Sequence, residues 1–143
     1  QTLYQNERLE SVDMRPFLTG LLNHLSDALG MSEAGISLVQ SYAEIQRDAD
    51  DAIPMALFIV EAVTNAMKYA FEEDGGEVSV CLSATDDQVT LEIRDTGLGY
   101  DSTDGSSGLG SKLMIAFARQ LSAEFTTEAR PGLGCSHKLV MPF

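Results

Sequence analysis

The chain has 143 residues, 44% hydrophobic and 22% charged, the proportions of one ordinary globular domain with a single core. Its 9 basic and 22 acidic residues give a formal net charge of −13, a field that makes nucleic acid and anionic membrane surfaces poor partners and requires local features to explain any anion binding. Cys81 and Cys135 stand far apart without metal-ligand spacing and read as reduced thiols of a cytoplasmic protein, and no apolar run reads as a membrane span or signal peptide.

In chain order, Gln1 to Val12 is polar and reads as a lead-in. The chain opens on Gln1 rather than Met, as expected of a piece of something longer. Asp13 then precedes "MRPFLTGLLNHLSDALG", where Pro16 suits the first turn of a helix and Gly30 its C-terminal cap. Phe17, Leu21, Leu22, Leu25 and Leu29 supply the apolar stripe. "GISLVQSYAEIQ" alternates enough for one or two short strands. Asp50 or Asp51 is placed to cap a second helix that runs through Pro54 to about Phe71. "EEDGGE" is a turn. Val78, Val80 and Leu82 alternate, as do Val89, Leu91 and Ile93, and "ATDDQ" joins them as a hairpin. "DTGLGYDSTDGSSGLG" is too rich in glycine to be a regular element. A third helix, "SKLMIAFARQLSA", follows, and strands "EFTTEAR" and "CSHKLVMPF" flank a "PGLG" turn.

This order predicts an α+β fold, a two-layer α/β sandwich with a mixed or antiparallel sheet covered by helices on one face. No strand-helix-strand series stands out, so a parallel Rossmann sheet is not expected.

Three stretches carry chemistry. On a helical wheel Glu61, Asn65, Lys68 and Glu72 form one narrow stripe, opposite Ile59, Val63, Ala66 and Ala70. Alone, that stripe is the wet side of an amphipathic helix. However, Asn is a poor helix-interior residue, and a carboxylate, an amide oxygen and an ammonium together offer hard ligands for Mg²⁺ and a phosphate contact. Asp95, opening "DTGLG" at a strand end, can accept a hydrogen bond from an exocyclic amine such as that of adenine. The glycines beside it permit close backbone approach to a ligand, although a plain strand-to-loop turn explains them equally well. Gly108 and Gly110 in "SSGLGSKLM" sit before or inside the first turn of a helix, where free N–H groups and the helix dipole favour an anion. The spacing is not that of a P-loop.

In order and spacing, "EAVTNAMKYA", "DTGLG" and "GLGSKLM" resemble the N, G1 and G2 boxes of the GHKL ATP-binding superfamily, which joins histidine kinases, gyrase-type ATPases, Hsp90 and MutL. The form of the first box after "AIPMAL", with "LYQNERLESVDMRPFLTGLLNHL" upstream, is similar to HisKA_2/HWE-like sensor histidine kinases. The resemblance covers nearly the whole chain and implies a Bergerat-type fold using ATP and Mg²⁺. It implies that Asn65 binds Mg²⁺, that Glu61 positions or deprotonates the acceptor, and that Lys68 and Tyr69 lie near the phosphates. Asp95 would bond the adenine amine, with Gly97 and Gly99 beneath the base. Gly108, Leu109 and Gly110 would approach the phosphates, and Tyr100 to Ser107 would be a short lid. Residues 1–12 would lead in from a dimerisation region and residues 13–143 would form the catalytic domain. The implied partners are dimerisation and phosphoacceptor helices of the same protein and a response regulator.

The chain also departs from the pattern. Tyr69 stands where many relatives have His, no clear F box separates G1 from G2, and no phosphoacceptor motif is present. His24 lies in an apolar helix without H-box neighbours and His137 in the last strand, so each reads as a structural or surface histidine. Two alternatives share the boxes: a serine kinase of the anti-sigma type, and a phosphotransfer adaptor that has lost ATP.

Overall fold

The computed structural model describes residues 11–69, 75–96, 109–130 and 134–143. Along the chain run strand β1 (Ser11–Asp13), helix α1 (Met14–Leu29), strands β2 (Ile36–Tyr42) and β3 (Gln46–Asp48), and helix α2 (Ala49–Tyr69). Strands β4 (Gly76–Ala84) and β5 (Gln88–Asp95), helix α3 (Leu109–Gln120), and strands β6 (Glu124–Arg130) and β7 (Gly134–Pro142) complete it.

Five strands form one sheet in the order β2-β4-β5-β7-β6, and β1 pairs with β3 in a separate ribbon. The β4–β5 and β6–β7 hairpins are antiparallel, and β5 pairs antiparallel with β7. The β2–β4 pair is parallel. A single strand-helix-strand unit is present, not a series, because β2 reaches β4 through a crossover that contains α2. A parallel neighbour cannot be joined by a tight turn, so a helix on the sheet face makes the connection. The sheet is mixed, as the α+β reading anticipated.

Helix α1 ends as "ALG" predicts. Gly30 is left-handed (φ 66°), and the Gly30 and Met31 amides donate back to Asp27 and Ser26 at 3.2 and 3.1 Å, satisfying carbonyls the last turn would leave open. Helix α2 begins at Ala49, with Asp50 and Asp51 inside its first turn, where negative charge meets the positive end of the dipole. Met14, Leu18 and Leu22 of α1, Phe58, Ile59 and Val63 of α2 and Met114 of α3 form one core with Val80, Leu82, Leu91, Ile93 and Leu139. All those strand residues lie on one face, so the helices form a single layer. At the β2 edge the Tyr42 hydroxyl donates to Gln40 Oε1 at 2.9 Å and Gln40 Nε2 donates to Asn23 Oδ1 at 3.0 Å, tying α1 to the sheet. Burial, and to a lesser degree the Cys81 thiol, push the Tyr42 hydroxyl above its ordinary pKa, so it remains a donor. Among the described residues no helix is long and apolar enough to cross a membrane.

Arg47 pins one end of the fold. Its Nη2 donates to Asp51 Oδ2 and to the Pro142 carbonyl, each at 3.3 Å. The Phe143 amide donates to the Asp87 carbonyl at 2.9 Å. The start of α2, the start of β5 and the finish of β7 therefore share one end of the molecule.

Candidate functional site

That shared end determines what gathers at the other. Helix α2 has 21 residues, about 32 Å at 1.5 Å per residue. Strand β5 has 8 residues, about 26 Å at 3.3 Å per residue. Two elements that start together and run for similar lengths finish together. Glu61, Asn65 and Lys68, in the C-terminal half of α2, and Asp95, the last residue of β5, thus belong to the same end. Helix α3 feeds β6, whose first residue Glu124 pairs with Val140 near the Arg47 end. Its N-terminal turn, with Leu109 and Gly110, therefore points back toward the Asp95 end.

On α2 the buried side is Ala62, Val63 and Ala66. Glu61 and Asn65 are half-buried and Lys68 is exposed. The stripe is therefore continuous, wettest at the helix C-terminus, where the Lys68 ammonium also meets the negative end of the dipole. Tyr69 closes the helix, and its side chain lies outside the described atoms. Gly97, Gly99 and Gly108 also lie outside the described residues, as does the stretch from Tyr100 to Ser107. Leu109 and Gly110 open α3.

Asp95 continues the inward-facing series Val89, Leu91, Ile93, whose members are each at most 2% exposed. It stands opposite Val78 of β4 and Cys135 of β7. Directly after it, Thr96 clamps the strand end: its amide donates to the Glu77 carbonyl and its hydroxyl accepts from the Glu77 amide, both at 3.0 Å. The carboxylate is thus mounted on a backbone held from both sides.

Sequence reasoning missed a polar cluster beside Asp95. His137 is buried, only 6% exposed, whereas His24 lies open on α1. His137 Nδ1 is 2.9 Å from the Thr127 hydroxyl and Nε2 is 3.5 Å from Cys135 Sγ. Phe125 covers the ring at 6.1 Å between centroids and itself meets Phe58 edge-on at 5.3 Å. Burial lowers the His137 pKa from 6.5 to about 4, so the imidazole is neutral at ordinary pH. The signal was the alternation in "CSHKLVM", which puts Cys135 and His137 on the same side as Leu139 and Met141. Cys81 and Cys135 lie on opposite faces of the sheet.

Among the described residues no three His, Cys, Asp or Glu side chains gather into a metal cage. Mg²⁺ needs none when waters and substrate phosphates supply most of its ligands, and Asn65 with Glu61 one turn before it presents two suitable oxygens.

Residues 28–135, well over half of the chain, match the family model of the Histidine kinase-like ATPase domain. The chain belongs to that family.

Among curated proteins, this ATPase domain is similar to the Anti-sigma F factor of Clostridium acetobutylicum, 24% identical over 116 residues that cover 72% of this chain and 81% of that protein. The Serine-protein kinase RsbW of Bacillus cereus is 25% identical over 104 residues, 73% of this chain and 60% of its own length. Histidine protein kinase DivJ of Caulobacter vibrioides is 29% identical over 140 residues, 85% of this chain but 22% of its own. The chain thus spans under two thirds of RsbW and about a fifth of DivJ. Among solved structures, the histidine kinase domain of the Erythrobacter litoralis EL346 blue-light activated histidine kinase superposes with a TM-score of 0.82 at 20% identity, over 92% of this chain and 61% of that one. Full-length ShkA in complex with AMPPNP gives 0.69 at 22% identity, over 93% of this chain and 31% of that one. The ATPase domain therefore shares the α+β fold of histidine kinase catalytic domains.

Proposed function

We propose that this ATPase domain is the catalytic part of a sensor histidine kinase. It binds ATP with Mg²⁺ and transfers the γ-phosphoryl group to a histidine outside residues 1–143, which passes it to an aspartate of a response regulator. Residues 1–12 lead in from dimerisation helices that present that histidine, and the domain works in the cytoplasm. The observation that supports this most is the gathering of Glu61, Asn65, Lys68 and Asp95 at one end of a fold shared with a histidine kinase domain at TM-score 0.82.

Each residue has a task in this reading. Asp95, fixed by the Thr96 clamp, accepts from the adenine amine and sets the base. Asn65 offers its amide oxygen to Mg²⁺, and Lys68 places an ammonium beside the phosphates on an otherwise acidic surface. The first-turn amides of α3 at Leu109 and Gly110 serve the same anion; the roles that the resemblance implies for Gly97 and Gly99 beneath the base, and for Gly108 and the Tyr69 hydroxyl near the phosphates, fall outside the described atoms. When bound, Mg²⁺ neutralises charge that develops on the β- and γ-oxygens. The acceptor nitrogen forms its bond to the γ-phosphorus as the bond to the bridging oxygen breaks and that oxygen leaves with ADP. Glu61 takes the ring proton that the acceptor imidazole sheds. Phosphoryl transfer asks mostly for positioning and charge stabilisation.

A second reading, a serine kinase of the anti-sigma type, draws on the RsbW and Anti-sigma F relatives. Incubation of the full-length protein with radiolabelled ATP separates the two. Label lost in acid and kept in base is phosphohistidine and supports the first reading. Acid-stable label on serine of an added protein supports the second. No binding of ATP or ADP in the presence of Mg²⁺ would defeat both and leave a phosphotransfer adaptor.

A further inference from the structure

Strand β2 forms one edge of the five-stranded sheet. Its sequence, ISLVQSY, holds no charge and no proline, although the chain as a whole carries a net charge of −13. The opposite edge, β6, reads EFTTEAR and bears Glu124, Glu128 and Arg130. Charged side chains blunt an edge against strand pairing, and a long uncharged edge invites it. On the outer face of β2, Val39 is 46% exposed.

Backbone parity defines what this edge offers. The Ala43 amide donates to the Leu82 carbonyl at 2.8 Å, and Tyr42 lies beside Leu82 in the parallel register. Ser37, Val39 and Ser41 therefore turn their amides and carbonyls toward β4, and Ile36, Leu38, Gln40 and Tyr42 turn theirs outward. The chain itself engages the ends of the outward row. The Ile36 amide donates to the Met31 carbonyl at 2.8 Å, and the Tyr42 carbonyl accepts from Arg15 Nε at 3.0 Å. The Ile36 carbonyl, both groups of Leu38 and of Gln40, and the Tyr42 amide have no partner among the described residues.

We propose that this edge binds a second copy of the chain, whose β2 pairs antiparallel to the first across a two-fold axis at Val39 and joins the two sheets into one. The pattern of open groups selects both the occupant and the register. With the axis at Val39, Leu38 of each copy faces Gln40 of the other and exchanges both bonds with it. The Tyr42 amide of each copy donates to the Ile36 carbonyl of the other. The groups already engaged, the Ile36 amide and the Tyr42 carbonyl, fall opposite each other. Every open group is thus paired. With the axis at Leu38, the Gln40 carbonyl would meet the engaged Ile36 amide. With the axis at Gln40, the Leu38 amide would meet the engaged Tyr42 carbonyl. An edge complementary to itself suits an isologous dimer.

The side chains agree with this register. Val39 meets its own counterpart at a non-hydrogen-bonded position, with Cα atoms about 4.5 Å apart. Ser37 meets Ser41, so no like charges oppose along the strands. Beyond each end, the turn that carries the exposed Glu33 approaches the end held by Arg15 of the other copy, so a carboxylate comes toward a guanidinium at both ends. Leu38 lies beside Val78 and Val78 beside Asp95, so the Ile36 end of β2 is the Asp95 end. Antiparallel β2 strands leave the two candidate sites at opposite ends of the joined sheet. The pairing is therefore independent of how the site is assigned.

Sedimentation of the 143-residue chain over a range of concentrations is expected to show a twofold rise in apparent mass from 15.4 kDa. The rise should come at lower concentration as salt screens the net charge. Val39→Lys and Val39→Glu each set like charges face to face on the axis and should weaken association about tenfold or more, with the circular dichroism of the fold unchanged. Mixed in equal amounts, the two variants should associate again, because an ammonium then meets a carboxylate. The Leu38, Gln40 and Tyr42 amides should exchange slowly with deuterated solvent in the wild-type dimer and rapidly in either variant alone. A wild-type chain that stays monomeric, variants that associate as wild type does, or a mixture no better than its components would overturn the proposal. Slow exchange of those amides in a monomeric variant would overturn it too, because another segment of the chain would then hold the edge.

Discussion

Gly134 backs onto the carbonyl of Asp95. It begins β7 in a left-handed conformation, φ 98°, and a Cβ built there would run into the Asp95 carbonyl oxygen and come within 3.2 Å of the Thr96 Cα. The obstacle is backbone, which has no rotamer to yield. The close approach holds the end of β5 where Asp95 sits, with the Thr96 clamp on the other side. Gly134→Ala should therefore cost about 2 kcal/mol or more of folding stability, measured by denaturant unfolding. ATP affinity, measured by calorimetry on the folded fraction, should fall with it. An unchanged unfolding midpoint would mean that the strand ends part without cost.

Gly20 predicts the opposite sign. It lies exposed within α1, and a Cβ there would meet nothing within 4 Å. Glycine in a helix interior loses more backbone freedom on folding than alanine does. Gly20→Ala should stabilise the domain by about 0.5–1 kcal/mol, seen as a rise of a few degrees in Tm. Nucleotide affinity should not change, because α1 contributes none of the candidate site. A lower Tm would mean that this face of α1 is covered by something in solution.

The hairpins were legible in the sequence because each strand buries one face, so Val78 to Leu82 and Val89 to Ile93 show the alternation directly. The parallel β2–β4 pair was not. The alternation of Ile36 to Tyr42 reports that one face is buried, not which strand lies alongside or in which direction. Strands β1 and β3, three residues each, are too short to show any period. The stripe on α2 was readable as a stripe. Its placement at the Asp95 end follows from Arg47 tying the start of α2 to the end of β7 and the Phe143 amide tying that end to the start of β5, relations between residues far apart in the chain. Likewise, the parity of His137 could be read from "CSHKLVM". Its burial needed β6 and Phe125, which only the folded sheet brings over the ring.

The site assignment makes two separable predictions. Asp95→Asn replaces one carboxylate oxygen, the acceptor for the base amine in the proposed reading, with a donor amide. A buried hydrogen bond to a charged group is worth about 1.5–3 kcal/mol, so ATP affinity should drop roughly 10- to 150-fold. Asn65→Ala removes an oxygen ligand without touching the base, so nucleotide should still bind while the gain in affinity on adding Mg²⁺ disappears. Titrations of both variants with and without Mg²⁺ test this. Wild-type behaviour in both would sink the assignment, and an Asn65→Ala variant that keeps its full Mg²⁺ response would move the metal elsewhere.

His137 should make stability depend on pH in a defined window. Burial holds its folded pKa at about 4, below the ordinary 6.5. Above pH 6.5 both folded and unfolded chains carry a neutral imidazole and stability is at its full value. As the pH falls from 6.5 toward 4, the unfolded chain takes up a proton that the buried ring refuses, so stability declines. Below about 4 both states are protonated and this contribution levels off. A gap of this size corresponds to a loss of about 3 kcal/mol across the window. Carboxylates titrate in the same range, so the quantity to measure is the difference between wild type and His137→Phe in unfolding free energy from pH 7 to 4. The variant should lose less stability on acidification, with the two profiles drawing apart chiefly below pH 6.5. Parallel profiles would show that the imidazole reaches solvent easily enough to protonate in the folded state, which the Phe125 ring above it argues against.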